Sequence, residues 1–148
     1  MSDLELMREA LQEARLALAE GELPIGCVIT RNGSIIARGH NLRETSLRVS
    51  AHAEIMALED AARTIGRWQM DGATLYVTVE PCAMCAGAMV QAGVGTLVYG
   101  AEGDKWGAHR SVMDILDNPV LSNRLIVLTG VKETECRQLM EDFFARLR

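Results

Sequence analysis

His52-Ala53-Glu54 and Pro81-Cys82-Ala83-Met84-Cys85 are the stretches of this sequence whose residue types and spacing suit chemistry. One neutral imidazole and two thiolates ligate and neutralise a divalent ion such as zinc. Three protein ligands leave a fourth tetrahedral position for water, which separates a catalytic zinc site from a closed, four-ligand structural one. Glu54 lies two residues beyond His52, so on a helix it points in a different direction and stands beside the metal without ligating it. Zinc lowers the pKa of its water to about 7, and a neighbouring carboxylate can take that proton and deliver it to a substrate. Hydrolysis of an amidine-like C–NH2 group needs that sequence of transfers. Two other readings stay open on these residues alone. Cys-x-x-Cys by itself also marks structural zinc or a thioredoxin-like redox pair, and a fourth protein ligand on the metal would favour the structural one.

Both motifs need helices to hold them. Ser50 stands where an N-cap belongs, ahead of a helix over Ala51 to Ile65 that Gly66 closes. Thr74 to Val79 is β-branched and aromatic, hence a buried strand, and Pro81 suits the first position of a helix running to Gln91. At helix starts, partial positive charge and free N–H groups favour the thiolate form of cysteine. Upstream, Leu4, Met7, Leu11, Ala14 and Leu18 recur at helical steps, predicting an amphipathic helix with its acids facing water and Gly21 at its end. Ile25 to Thr30 and Ser34 to Ala37 flank Asn32-Gly33, a hairpin signal. Leu42 to Val49 reads as a loop. Further on come a strand at Thr96 to Tyr99, a loop with Gly100, Gly103 and Gly107, and a short helical piece at Val112 to Leu116. A strand at Leu125 to Leu128 and a packed C-terminal helix through Cys136, Leu139, Met140, Phe143, Phe144 and Leu147 complete the chain. The pattern predicts a layered α/β domain with a mixed sheet of about five strands and helices on both faces. No repeat or linker interrupts residues 1–148, which reads as a single domain.

Composition narrows the partners. With 49% hydrophobic and 24% charged residues the chain has the make-up of a soluble globular protein. A formal net charge of −5 speaks against non-specific binding along nucleic acid, although Arg31, Arg38, Arg43 and Arg48 cluster against one acid, Glu44. No apolar run reaches the roughly 20 residues of a membrane helix, and the acidic N-terminus is unlike a signal peptide, so a cytoplasmic location is expected. Cys27 lies in an apolar strand and Cys136 on an apolar helix stripe, so both should pack in the core.

The two motifs together match the signature of zinc-dependent nucleobase deaminases. His52-Ala53-Glu54 with Pro81-Cys82-Ala83-Met84-Cys85-Ala86-Gly87 resembles the cytidine and deoxycytidylate deaminase superfamily, and is most similar to its bacterial tRNA adenosine deaminase family. The similarity extends over nearly the whole chain, including Leu23-Pro24-Ile25-Gly26, His40-Asn41-Leu42-Arg43-Glu44-Thr45 and Ser111-Val112-Met113-Asp114.

The resemblance implies a homodimer with the three-layer α/β/α cytidine-deaminase-like fold and one Zn2+ per subunit. It also implies hydrolytic conversion of adenosine to inosine at the wobble position of a tRNA anticodon loop. It makes His52, Cys82 and Cys85 the zinc ligands, Glu54 the acid/base, and Asn41 and Lys105 substrate contacts. Read from the residue alone, Asn41 could equally satisfy a turn backbone. Where the family commonly has Asp-Pro-Thr this chain has Arg48-Val49-Ser50, and where many members carry an aspartate it has Gly103. Trp106, His109 and Arg110 are also atypical. Trp106 suits a base-stacking platform or a ring folded over the core, and His109 a surface histidine or phosphate contact. These departures, with the acidic charge, keep a second expectation in play: a deaminase of a free nucleobase or nucleoside such as guanine, cytosine or an adenine derivative.

Overall fold

Ser2 opens the first helix, α1 (Asp3–Ala19), by accepting the Glu5 backbone N–H at 3.2 Å. Met7, Ala10, Leu11, Ala14 and Ala17 on its apolar face are wholly buried, whereas Leu4, expected on the same face, is exposed. Glu13, one of the helix acids expected in water, and Glu22, just past Gly21, are both withdrawn from it. Glu13 is buried and meets His40 Nδ1 at 3.1 Å. Glu22, also buried, accepts the backbone N–H groups of Glu44 and Thr45 at 3.2 and 2.6 Å.

The hairpin forms as expected from β1 (Gly26–Arg31) and β2 (Ser34–His40), with Asn32 at φ 53° and Gly33 at φ 80°. Positive φ at both central residues is the type I′ arrangement, whose twist matches the flanking strands. β2 runs on to His40, beyond the expected end at Ala37, and so delivers Asn41 to the end of the sheet. The segment read as a loop contains one helical turn, α2 (Arg43–Ser46). Its N-cap, Leu42, has no polar side chain, and Glu22 supplies the missing acceptor from a distant segment.

The two motif-bearing helices start later than local signals predict. α3 spans Ala53–Ile65, with His52 rather than Ser50 as N-cap and Gly66 closing it at φ 77°. After β3 (Ala73–Val79), α4 spans Ala83–Ala92, with Cys82 as N-cap, so Pro81 precedes the helix instead of opening it. β4 (Thr96–Ala101) follows. Val112 to Leu116 is not helical: Val112 and Met113 donate to Gly107 O, and Ile115 and Leu116 donate to Ala108 O. A one-turn α5 (Pro119–Ser122), β5 (Ile126–Thr129) and α6 (Glu133–Arg146) complete the order.

These elements come from a computed structural model that describes residues 1–122 and 125–147; the last residue of the expected domain, Arg148, lies outside them. The sheet has the order β2-β1-β3-β4-β5, antiparallel at β2/β1 and β1/β3 and parallel at β3/β4 and β4/β5. α1 and α6 cover one face and α3 and α4 the other, giving the three-layer α/β/α arrangement with a core on each side. Among the described residues no helix is long and apolar enough to cross a membrane.

The seat of α3 depends on a bare position in β2. A Cβ at Gly39 would stand 2.5 Å from the Ala53 carbonyl oxygen and 2.7 Å from the Ala57 nitrogen. Gly39→Ala therefore pushes away the helix whose first turn carries Glu54. The expected cost is about 3 kcal/mol, a fall in Tm of roughly 6–12 °C in a thermal melt, and an unchanged Tm would show that α3 is not seated this tightly.

Candidate metal centre and substrate cavity

The N-termini of α3 and α4 bring together residues 30 positions apart in the chain. His52 Nδ1 lies 3.4 Å from Cys82 Sγ and 3.5 Å from Cys85 Sγ, and the donor atoms all fall within 4.8 Å of one another. Tetrahedral bonds of about 2.3 Å to sulfur and 2.1 Å to nitrogen separate such ligands by about 3.6 Å, so this donor set fits a zinc-sized ion. His52 and Cys82 are half-buried and Cys85 is fully buried. Among the described residues no other group of histidines, cysteines and acids is so arranged.

Glu54 is buried in the first turn of α3. Burial, reinforced by the negative charge of Cys82, pushes its carboxyl up to about 7. A hydrogen bond from the Cys85 thiol, helped by His52, brings Cys82 down to about 4. That same bond and burial push Cys85 up, and the bond to the Cys82 sulfur raises His52.

A cavity of about 530 Å³ opens over this cluster. Leu23, Ile25 and Met84 supply apolar wall, and Asn41, Arg43, Lys105 and Trp106 supply polar or aromatic wall. Of the sequence-predicted substrate residues, both Asn41 and Lys105 are therefore at the cavity. Asn41 is buried and its Oδ1 accepts the Arg43 backbone N–H at 3.4 Å, so it serves the turn as well. Lys105 is exposed, its Nζ 6.0 Å from the centre of the Phe144 ring. Trp106 lines the cavity half-buried instead of folding into the core. Arg48 and Arg110 are not among the lining residues; they pair with Glu59 and Asp117.

His109 is not a surface residue. Its ring is buried between the Tyr99 hydroxyl at 2.8 Å and Asp117 at 3.1 Å. Cys27 and Cys136 are buried in the two cores as expected. Sequence reasoning missed Glu80, a buried acid at the end of β3 that binds the loop carrying Lys105 and Trp106. No local signal marks it, because its partners lie 23 to 31 residues further on.

Comparisons with known proteins agree with this geometry. The profile of MafB19-like deaminases matches residues 1–148. The tRNA-specific adenosine deaminase of Bacillus subtilis (strain 168) is 46% identical over 142 residues, covering 96% of this chain and 88% of that one. A solved structure from a study of A-to-I editing by tRNA:A34 deaminases superposes with a TM-score of 0.87 at 38% identity, covering 91% of this chain and 98% of its own. The guanine deaminase from Nitrosomonas europaea superposes with a TM-score of 0.85 at 25% identity, covering 97% and 85%.

The inequality of the sulfurs can be read chemically. In chelator-treated protein at pH 6, Cys82, with its pKa near 4, is a thiolate, whereas an ordinary thiol near 8.5 is under about 1% ionised. Iodoacetamide followed by peptide mass mapping should therefore modify Cys82 first and leave Cys27, Cys85 and Cys136 largely intact. Saturating zinc should protect Cys82, and equal labelling of all the cysteines would sink this description.

Proposed function

The chain belongs to the MafB19-like deaminase family, and from that premise we propose that it hydrolyses adenosine to inosine and ammonia at the wobble position of a tRNA anticodon loop. The observation that carries this reading is the meeting of His52, Cys82, Cys85 and Glu54 at one cavity, in a chain with a tRNA-deaminating relative at 46% identity. Residues 1–148 act as one deaminase domain, in the cytoplasm where the tRNA is, with two copies forming a homodimer. Large apolar side chains open to solvent, Leu47, Val49, Val120 and Leu121 among them, are available to such an assembly.

In this reading His52 Nδ1, Cys82 Sγ and Cys85 Sγ hold one zinc ion per subunit. A zinc ion there supplies the Lewis acidity that makes water a nucleophile at neutral pH. Glu54 moves the protons: its carboxylate takes one from the attacking water, gives it to the ring nitrogen beside C6, and later serves the departing amino group. Apolar wall from Leu23, Ile25 and Met84 excludes bulk water around the base. The Asn41 amide contacts the extruded base, since an adenine inside a stacked loop is out of reach. Arg43 and Lys105 supply local positive charge for the flanking phosphates despite the acidic whole.

The deciding assay is inosine formation in an anticodon stem–loop with adenosine at the wobble position. Glu54→Ala should retain about one zinc per subunit while deamination falls by 10³-fold or more, the magnitude lying within the range for loss of general acid–base catalysis combined with loss of water activation. Full activity in that variant refutes the role given to Glu54. A parallel panel of free guanine, cytosine and adenine derivatives should release no ammonia. Turnover there with silence on the stem–loop would move the substrate from tRNA to a free base.

A further inference from the structure

Glu80 is 1% exposed and sits at the end of β3, immediately ahead of Pro81 and the metal-ligating Cys82. One carboxylate oxygen accepts the Gly103 backbone N–H at 3.2 Å and the Ser111 hydroxyl. The other accepts the backbone N–H groups of His109, Arg110 and Ser111 at 2.8, 3.0 and 3.2 Å. Gly107 passes so close that a Cβ there would overlap the carboxylate. Among the described residues the partners of this buried anion are thus neutral donors from a single loop, with no cation among them. Five donors fill the roughly four lone-pair sites of a carboxylate, leaving no capacity for proton transfer to a substrate.

That loop is part of the cavity wall. Lys105 and Trp106 lie between the two sets of N–H donors, and both line the cavity over the metal cluster. A second anchor braces its far end: the His109 ring between Tyr99 and Asp117, and Arg110 Nε on Asp117 at 2.7 Å. With the loop wound on Glu80, and Glu80 two residues from Cys82, the substrate wall and the metal ligand take their positions from one point on β3.

We propose that Glu80 is a positioning residue for substrate binding: its buried carboxylate holds residues 103–111 so that Lys105 and Trp106 wall the cavity at a set distance from the metal centre. Burial alone would push the carboxyl up, but the Ser111 hydroxyl and the N–H groups outweigh it and hold it below its ordinary value. The inference concerns the same site as the deaminase reading and rests on it for the choice of substrate.

Glu80→Gln keeps the volume but turns one acceptor oxygen into an amide that meets N–H donors. The zinc-loaded variant should keep one metal per subunit and a kcat on the anticodon stem–loop within about threefold of the parent, while KM rises tenfold or more. Amide hydrogen exchange should accelerate at Gly103, His109, Arg110 and Ser111 and stay unchanged in α4. Because Glu80 acts through the wall, Trp106→Ala should raise KM far less in the Glu80→Gln background than in the parent. Ser111→Ala, which removes one donor, should show the same pattern more weakly, and serves if Glu80→Gln does not fold. A fall in kcat at constant KM, exchange that spreads through β3 and α4, or fully additive effects with Trp106→Ala would each overturn the proposal. If the parent enzyme deaminates a free base and not the stem–loop, the tRNA reading fails. The same KM split, measured on that base, together with the exchange pattern still decides the role of Glu80.

Discussion

Cys82, Cys85 and Glu54 meet where α3 and α4 begin, and the withdrawal of three potential anions from water is the constraint around which the site is built. Removing several potential anions from water is costly unless a counter-charge or a proton neutralises them. Burial raises Glu54, the hydrogen bond to Cys82 together with burial raises Cys85, and that same bond lowers Cys82. A divalent cation inverts that logic, stabilising both thiolates at once. Metal affinity and fold stability are then linked, since the ion binds a site that exists only when α3 and α4 are docked.

The surroundings show a second way of keeping a buried acid charged. Glu22 and Glu80 both lie within the protein and both spend their oxygens on backbone N–H groups from distant segments, Glu44 and Thr45 in one case and the Gly103 to Ser111 loop in the other. Each converts a stretch with weak intrinsic preference into ordered structure beside the cavity: α2 carrying Arg43, and the loop carrying Lys105 and Trp106. In the proposed reaction the cluster of His52, Cys82, Cys85 and Glu54 does the chemistry, and these carboxylates shape what reaches it.

The metal cluster was legible in the sequence because its spacing is local: His-x-Glu and Cys-x-x-Cys each span less than two helical turns. The hairpin was legible because Asn32-Gly33 adopts positive φ readily. Boundaries were less so. His52 and Cys82 cap their helices without being preferred capping residues, so propensity pointed to Ser50 and Pro81 instead. The helix expected at Val112 to Leu116 has the right apolar spacing, but its amides are committed to Gly107 and Ala108. Single-turn α2 and buried Glu80 depend on partners 22 to 31 residues away, and the buried His109 ring on Tyr99 and Asp117, and no periodicity or local motif reports those pairings. Asn41 and Lys105 came from resemblance alone, and the cavity contains both.

A metal held by His52, Cys82 and Cys85 has three protein ligands and one position left open. X-ray absorption at the zinc edge of the substrate-free enzyme measures it most directly. Two sulfur neighbours at about 2.3 Å, two nitrogen or oxygen neighbours at about 2.0–2.1 Å, and outer-shell scattering from one imidazole ring are expected, with the spectrum preserved in Glu54→Ala. A third sulfur, for which Cys27 is the nearby buried candidate, or a second imidazole would close the site and contradict the account.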